Sequence, residues 1–249
     1  MLFTTSWDDG YTLDVRIAHL LEQHGLKGTF YVCPKEQHDK TMLSEGEIRT
    51  LSKTQEVGAH SLTHQKLSLL SAEEALREIR GSKEWVEQVT GKSCNMFCYP
   101  KGQWNKSVKS LVQEAGFHGA RTTQLWQFVC QDPFAAPVSL QVVPFPFRKS
   151  YRPIWKILDP LGPLRASWKV LNTNTIPLSA RSSWLGMATA LFDRALADQR
   201  SLFHLYGHAH EIERFGMWDD LSRFCAHVQK STVQCVTNSE LIQKITSPA

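Results

Sequence analysis

The feature that most restricts how this chain can fold is the alternation of short strand patterns and amphipathic helix patterns through its first half. Leu2-Phe3-Thr4-Thr5 is β-branched and aromatic, and a helical pattern follows from residue 12 to Gly25. Gly28 to Val32 reads as a strand, Glu45 to Lys53 as a helix, and Gln55 to Ala59 as a strand. Ser71-Ala72-Glu73-Glu74 is a capping box opening a long helix to about Val89. Asn95 to Tyr99 is the next strand, Asn105 caps a helix that stops at Gly116, and Phe117 to Thr122 is a further strand. Strands separated by single helices cannot pair as hairpins, so the expected class is α/β with a parallel sheet or barrel.

The alternation breaks between Pro133 and Pro177, which enclose eight of the eleven prolines around a short strand pattern at Leu140 to Val143. A stretch of this length without strong periodicity is seldom passive in a compact domain. It is expected to lie over one face and to bring Tyr151, Trp155 and Trp168 to a groove or an interface. Its aromatic content argues against a disordered linker. Helical and strand patterns then resume, with a helix over Ser179 to Asp198, a strand over Ser201 to Tyr206 and a helix over Asp219 to Gln229. Thr232 to Thr237 forms a last strand before a helix from Asn238. With 249 residues the chain can bury one core of barrel size. The expected organisation is a single domain over 1–249 with a Pro- and aromatic-rich excursion at about 131–178.

Composition excludes more than it selects. Net charge is +4, the difference between 28 basic and 24 acidic residues. The basic residues read as dispersed, which favours a solvated surface over nucleic acid or anionic lipid. No segment approaches the ~20 apolar residues of a membrane helix, and residues 1–30 lack the pattern of a secretory signal. Six cysteines occur without a Cys-x-x-Cys pair, several in apolar runs, as expected of buried free thiols in a reducing compartment. The expected location is cytoplasmic, with no nucleic acid partner and no membrane span.

Chemistry concentrates at two strand ends. Ser6-Trp7-Asp8-Asp9-Gly10 places two carboxylates where the first strand gives way to a turn and a helix. That edge of an α/β sheet is where active sites are built. Neighbouring strand residues point opposite ways, so one aspartate suits a metal and the other a base. Taken alone the pair reads equally well as a helix N-cap. His60-Ser61-Leu62-Thr63-His64 follows the strand ending at Ala59, and two histidines four apart share one face if the segment is helical. One carboxylate and two imidazoles would make an open three-ligand site of hydrolytic kind.

These segments resemble the polysaccharide deacetylases with the NodB homology domain (carbohydrate esterase family 4). Ser6-Trp7-Asp8-Asp9-Gly10 is similar to their first motif, Thr-Phe-Asp-Asp-Gly, and His60 to His64 matches their His-Ser/Thr-x-x-His. Gly25-Leu26-Lys27-Gly28-Thr29-Phe30-Tyr31-Val32 is similar to their Gly-x-x-Ala-Thr-Phe-Phe-Val. The resemblance covers residues 2 to about 120 and resumes near Ser201. It implies a distorted (β/α)7-type barrel, Asp8 as general base, and Asp9, His60 and His64 as ligands of a divalent metal. Zinc is the first choice of metal, with cobalt, nickel or manganese compatible.

The third family motif, Arg-x-Pro-Tyr/Phe-Gly, survives only in part as Cys98-Tyr99-Pro100-Lys101-Gly102, and the acidic partner of its Arg is missing near Phe117 to Thr122. Two readings of Arg121 stand level: it reaches Asp8 directly from a neighbouring strand, or it pairs elsewhere. The alignment makes the Lys101 backbone N–H an oxyanion donor and puts Tyr99 and Trp104 beside the substrate. Among His204, His208 and His210, the resemblance selects His208 as general acid. His204 is expected in or near the core, and His210 either flanks the substrate or, should the strand end later, replaces His208. Trp7, Trp104 and Trp126 are placed to stack on sugar faces, against the commoner role of strand-end Trp as core. The expected function is metal-dependent removal of acetyl groups, N-acetyl first, from a sugar or polysaccharide. The alternatives are an allantoinase-like C–N hydrolase on the same scaffold and a non-catalytic carbohydrate-binding relative.

Overall fold

The structure is a computed structural model that describes residues 1–34, 41–147 and 159–247. Eight strands are present among them: β1 (Leu2–Asp9), β2 (Thr29–Val32), β3 (Glu56–Ala59), β4 (Met96–Cys98), β5 (Gly119–Arg121), β6 (Leu140–Gln141), β7 (Leu202–Gly207) and β8 (Gln234–Cys235). Every ladder is parallel, in the order β5-β4-β3-β2-β1-β7-β6, with β8 added to the start of β1. The arrangement is the distorted (β/α)7-type barrel expected of the sequence.

One segment closes the ring. Ala136 pairs in parallel with Arg121 on β5, and four residues later Leu140 pairs with Leu205 on β7. Residues 136–141 thus join the two edges that the strand order leaves open. This places β5 across the barrel interior from β1, with three strands between them along the sheet.

The helices fall close to their sequence signals: α1 (Asp14–Gln23), α2 (Glu45–Leu51), α3 (Ala72–Thr90), α4 (Lys106–Glu114), α5 (Gly162–Thr173), α6 (Trp184–Ala197), α7 (Ala209–Phe215), α8 (Trp218–Gln229) and α9 (Asn238–Thr246). Ser71 and Glu74 form the expected capping box of α3, and Gly91 ends that helix in the left-handed conformation. The Asn105 side chain accepts from the Val108 amide at 2.8 Å and caps α4. Two helices depart from expectation. α5 lies inside the excursion read as lacking periodicity; Pro163 stands in its first turn, where a missing N–H breaks no helical hydrogen bond. α7 follows His208 directly, in a stretch read only as a histidine cluster. Tyr151 and Trp155 lie outside the described residues.

β1 separates two cores by simple alternation. Phe3, Thr5 and Trp7 face the helix layer, where Phe3 packs against Phe192 of α6 and Phe224 of α8. Thr4, Ser6 and Asp8 face the barrel interior, meeting Asn238, His204 and Arg121. Trp7 is fully buried with its Nε1 donating to Thr5 Oγ1 at 3.0 Å, so it is a core residue and no platform for a sugar. His204 is core as expected, its ring held between Ser6 Oγ at 2.9 Å and the Pro137 carbonyl at 2.8 Å.

Candidate metal and hydrolytic centre

The interior alternation of β1 ends at Asp9, whose φ of 83° turns its side chain out of the strand pattern. Asp8 and Asp9 therefore approach one centre, although adjacent strand residues were expected to diverge. Non-glycine residues at positive φ recur around this centre: Asp9, Ser61 (60°), His64 (54°) and Lys101 (58°). Such backbone is strained for L-residues and is held by its surroundings.

The His60–His64 segment is a loop rather than the helix that would have aligned the pair. Ser61 Oγ accepts from the His64 amide at 2.9 Å, which folds the loop back on itself. Glu78 on α3 pins it, accepting from the Thr63 amide at 2.8 Å and the Thr63 hydroxyl at 2.7 Å. Both imidazoles then reach the same carboxylate oxygen. His60 Nε2 lies 3.5 Å and His64 Nε2 3.4 Å from Asp9 Oδ1. His60 Nδ1 lies 2.9 Å from the Cys98 carbonyl, an acceptor only, so Nδ1 carries a proton and donates.

These atoms fit a divalent cation. Ligands about 2.0–2.1 Å from a tetrahedral ion stand about 3.3 Å from one another, close to the spacing here. A His60 ring that donates through Nδ1 presents Nε2 to a carboxylate, an arrangement that needs a positive centre between the acceptors. Without a metal, a proton serves. Burial works against a charged His60, yet Cys98, the hydrogen bond to Asp9 and the Asp8 charge raise its pKa well above the usual imidazole value. His64 is pushed down to about 4 by burial and by His60, which leaves it neutral and able to donate a lone pair. Asp9 is held far below the carboxylate range despite its burial, chiefly by His60. Asp9 also accepts a hydrogen bond from the Tyr11 hydroxyl, a partner the sequence reading missed.

Asp8 is buried beside this cluster but held by other groups. Arg121 donates through Nη2 to Asp8 Oδ1, and the Cys98 thiol lies 3.7 Å from Oδ2. Of the two readings of Arg121, the direct contact with Asp8 is present, but Arg121 reaches Asp8 across the barrel interior and not from an adjoining strand. Its guanidinium carbon lies 4.5 Å from the ring of Tyr206 and 5.2 Å from that of Tyr31. Burial raises the Asp8 pKa, but the charge and hydrogen bond of Arg121, together with the charges of His60 and His208, bring the net direction down.

β7 ends at Gly207, so His208 leaves the strand directly, as expected. Its Nδ1 lies 3.1 Å from Glu211 Oε2 and its Nε2 3.3 Å from the Tyr206 hydroxyl. Glu211 was not selected from the sequence, although a carboxylate three residues along a helix from a histidine is a legible spacing. Burial lowers the His208 pKa, but Glu211, Asp8 and Asp9 together raise it. His210 packs edge-on to Tyr11 with centroids 4.8 Å apart and lies 5.4 Å from the His208 ring.

The remaining expectations divide. Lys101 is exposed beside the centre. Trp104 and Trp126 are partly buried against the core. Tyr99 is fully buried, stacked on Trp104 at 5.7 Å, with its hydroxyl donating to the Phe134 carbonyl at 2.9 Å. It supports the strand end and is not exposed to a substrate.

A closed parallel barrel with carboxylates and imidazoles gathered at the C-terminal ends of its strands is the NodB type of α/β fold. Residues 2–120, just under half of the chain, match the polysaccharide deacetylase family model. It is 27% identical over 123 residues to peptidoglycan-N-acetylmuramic acid deacetylase PdaA of Bacillus subtilis, covering 47% of this chain and 43% of the relative. The matched segment therefore spans less than half the length of that relative. A family 4 acetyl xylan esterase from Clostridium thermocellum, solved with a cobalt ion, superposes with a TM-score of 0.61 at 14% identity, over 100% of this chain and 93% of the other. A CE4 family pseudoenzyme from Bacillus anthracis superposes with a TM-score of 0.59 at 14% identity, over 97% and 65%. No helix among the described residues is long and apolar enough to cross a membrane.

Proposed function

We propose that this protein is a metal-dependent hydrolase that removes acetyl groups, most readily N-acetyl, from a sugar or polysaccharide. The observation that carries the proposal is the convergence of His60 and His64 on one oxygen of Asp9, beside an Asp8 held by Arg121. Asp9, His60 and His64 would hold the cation, for which zinc is the first choice and cobalt, nickel or manganese are compatible. When bound, a divalent ion acidifies water and polarises a carbonyl oxygen.

The chain's own groups do the rest. Asp8 stays ionised because Arg121 lowers its pKa, and it takes the proton of the attacking water. The Lys101 backbone N–H is assigned as donor to the developing oxyanion. His208, protonated through the influence of Glu211, gives its proton to the departing amine. His210 and Trp104 flank the sugar. The same residues would serve another amide, as in the allantoinase-like reading. Cys98 in place of the family's Arg is the feature that favours a silent, carbohydrate-binding relative.

The test is acetate release from N-acetylglucosamine oligomers with added zinc or cobalt, in the native chain and in Asp8→Asn. Metal-dependent acetate release that Asp8→Asn abolishes supports the reading. Ammonia or amine from small amides without acetate favours the second reading, and bound metal without turnover favours the third.

A further inference from the structure

The basic residues are dispersed along the chain, as read from the sequence, but the acidic ones are not. Residues 133–192 hold seven Lys and Arg against a single Asp, within a chain of 28 basic and 24 acidic residues. The whole positive excess therefore belongs to this one region, and the remainder is slightly acidic. Large exposed apolar side chains gather in the same place. Of seven among the described residues, Phe147, Leu161, Trp168 and Leu178 fall between 147 and 178. The other three, Leu69, Val129 and Ile245, are scattered along the chain.

α5 puts charge and apolar surface on one face. Leu161, Arg165, Trp168, Lys169 and Asn172 recur at helical spacing, and all are exposed, while Gly162, Ser167 and Leu171 are buried. Leu161 and Trp168 are each 45% exposed, large values for such residues. Arg165 pairs with Asp159 at 2.6 Å, and the buried Arg181, which donates to the Ile176 carbonyl and to Asn172, backs the Trp168 ring at 4.9 Å. A helix with Trp and Leu beside Arg and Lys and no acidic residue suits the headgroup layer of an anionic bilayer. Nucleic acid would also meet the charge, but it gives no return for exposed Leu161, Leu178 and Phe147.

The other flank of α5 is apolar too. Pro163 and Ala166 line a cavity of about 170 Å³ with Trp126, Leu140, Phe145 and Met187. Gln141, at the same cavity, pairs in register with Tyr206, whose hydroxyl meets His208. The helix therefore stands at the edge of the barrel where the candidate centre opens.

We propose that the exposed face of α5, with Phe147 and Leu178 beside it, docks this protein on an anionic lipid surface. Docking is peripheral, through Leu161 and Trp168 seated among headgroups with Arg165 and Lys169 facing lipid phosphates. It is a property separate from hydrolysis and would hold for a catalytically silent protein as well.

Co-sedimentation of the full chain with phosphatidylcholine vesicles, with and without phosphatidylglycerol, tests it without any turnover. The expected result is partition onto the phosphatidylglycerol vesicles that weakens as salt is raised. Lys169→Glu should weaken it by at least about fivefold, the value of one surface charge. Trp168→Ser should weaken it comparably, whereas Leu69→Ser, a change at a 77% exposed leucine outside the region, should not. Circular dichroism of each variant excludes loss of fold, and Leu161→Ser provides a second apolar probe. Absence of partition overturns the proposal. So does equal binding to both vesicles, an equal effect of Leu69→Ser, or binding of a single-stranded oligonucleotide in place of vesicles.

Discussion

Arg121 and Asp8 are joined across the interior of the barrel, from β5 to β1, by a hydrogen bond between two buried charges. In the family motif the residue at Cys98 is an Arg; here that position holds a thiol and the positive charge comes from a different strand. The pair sets the state of the proposed base, because a buried carboxylate without a cation would take up a proton.

Replacing Arg121 by Met should therefore act on both pH response and stability. Arg121 depresses the Asp8 pKa, so the ionised base persists to low pH, and its loss should move the acid limb of kcat/KM towards neutral pH. Stability from the pair is present above the unfolded Asp pKa of about 3.9 and is lost as pH falls through the lower folded value. Leaving Asp8 unpaired should cost about 3–5 kcal/mol in denaturant unfolding at neutral pH. A variant with an unshifted acid limb would separate Arg121 from the base.

Asp8→Asn should reduce kcat by about 10²–10⁴-fold, the usual contribution of a positioned base. Metal affinity, measured by calorimetry, should stay near that of the native chain, because the proposed ligands are Asp9, His60 and His64. Loss of metal binding in this variant would make Asp8 a ligand instead.

Metal binding should release protons and weaken as pH falls, since His60 without metal has a raised pKa and its proton occupies the place of the ion. Potentiometric titration with zinc would register the release. Tyr11→Phe, which removes a hydrogen bond to Asp9, should lower zinc affinity by about 10–100-fold with the fold intact.

Glu211→Gln should shift the alkaline limb of kcat/KM to lower pH. Glu211 raises the His208 pKa, so His208 keeps the proton it must donate to higher pH in the native chain than in the variant. An alkaline limb that does not move would assign the acid to another group.

Tyr99→Phe should lower stability by about 1 kcal/mol through loss of the bond to the Phe134 carbonyl and leave KM unchanged. A raised KM would return Tyr99 to the substrate.

Much of this was legible in one dimension because it depends on local pattern. The strand before Asp8, the capping box at Ser71, the Asn105 cap and the strand ending just before His208 each follow from a few neighbouring residues, and so the α/β class follows too. Motif spacing also picked out Asp9, His60 and His64 together, since Asp9 ends one strand and the His60–His64 loop follows another, and parallel strands bring such ends to one edge. What the chain order could not express is how the ring closes. Residues 136–141 bridge β5 to β7, and only that closure sets Arg121 opposite Asp8. Likewise, backbone turned to positive φ at Asp9 and His64 decided which way these side chains point, against the alternation and helix that local rules favoured. Burial decided the aromatics, sending Trp7 and Tyr99 into the core, because the layer in which a side chain lies depends on elements far away in sequence.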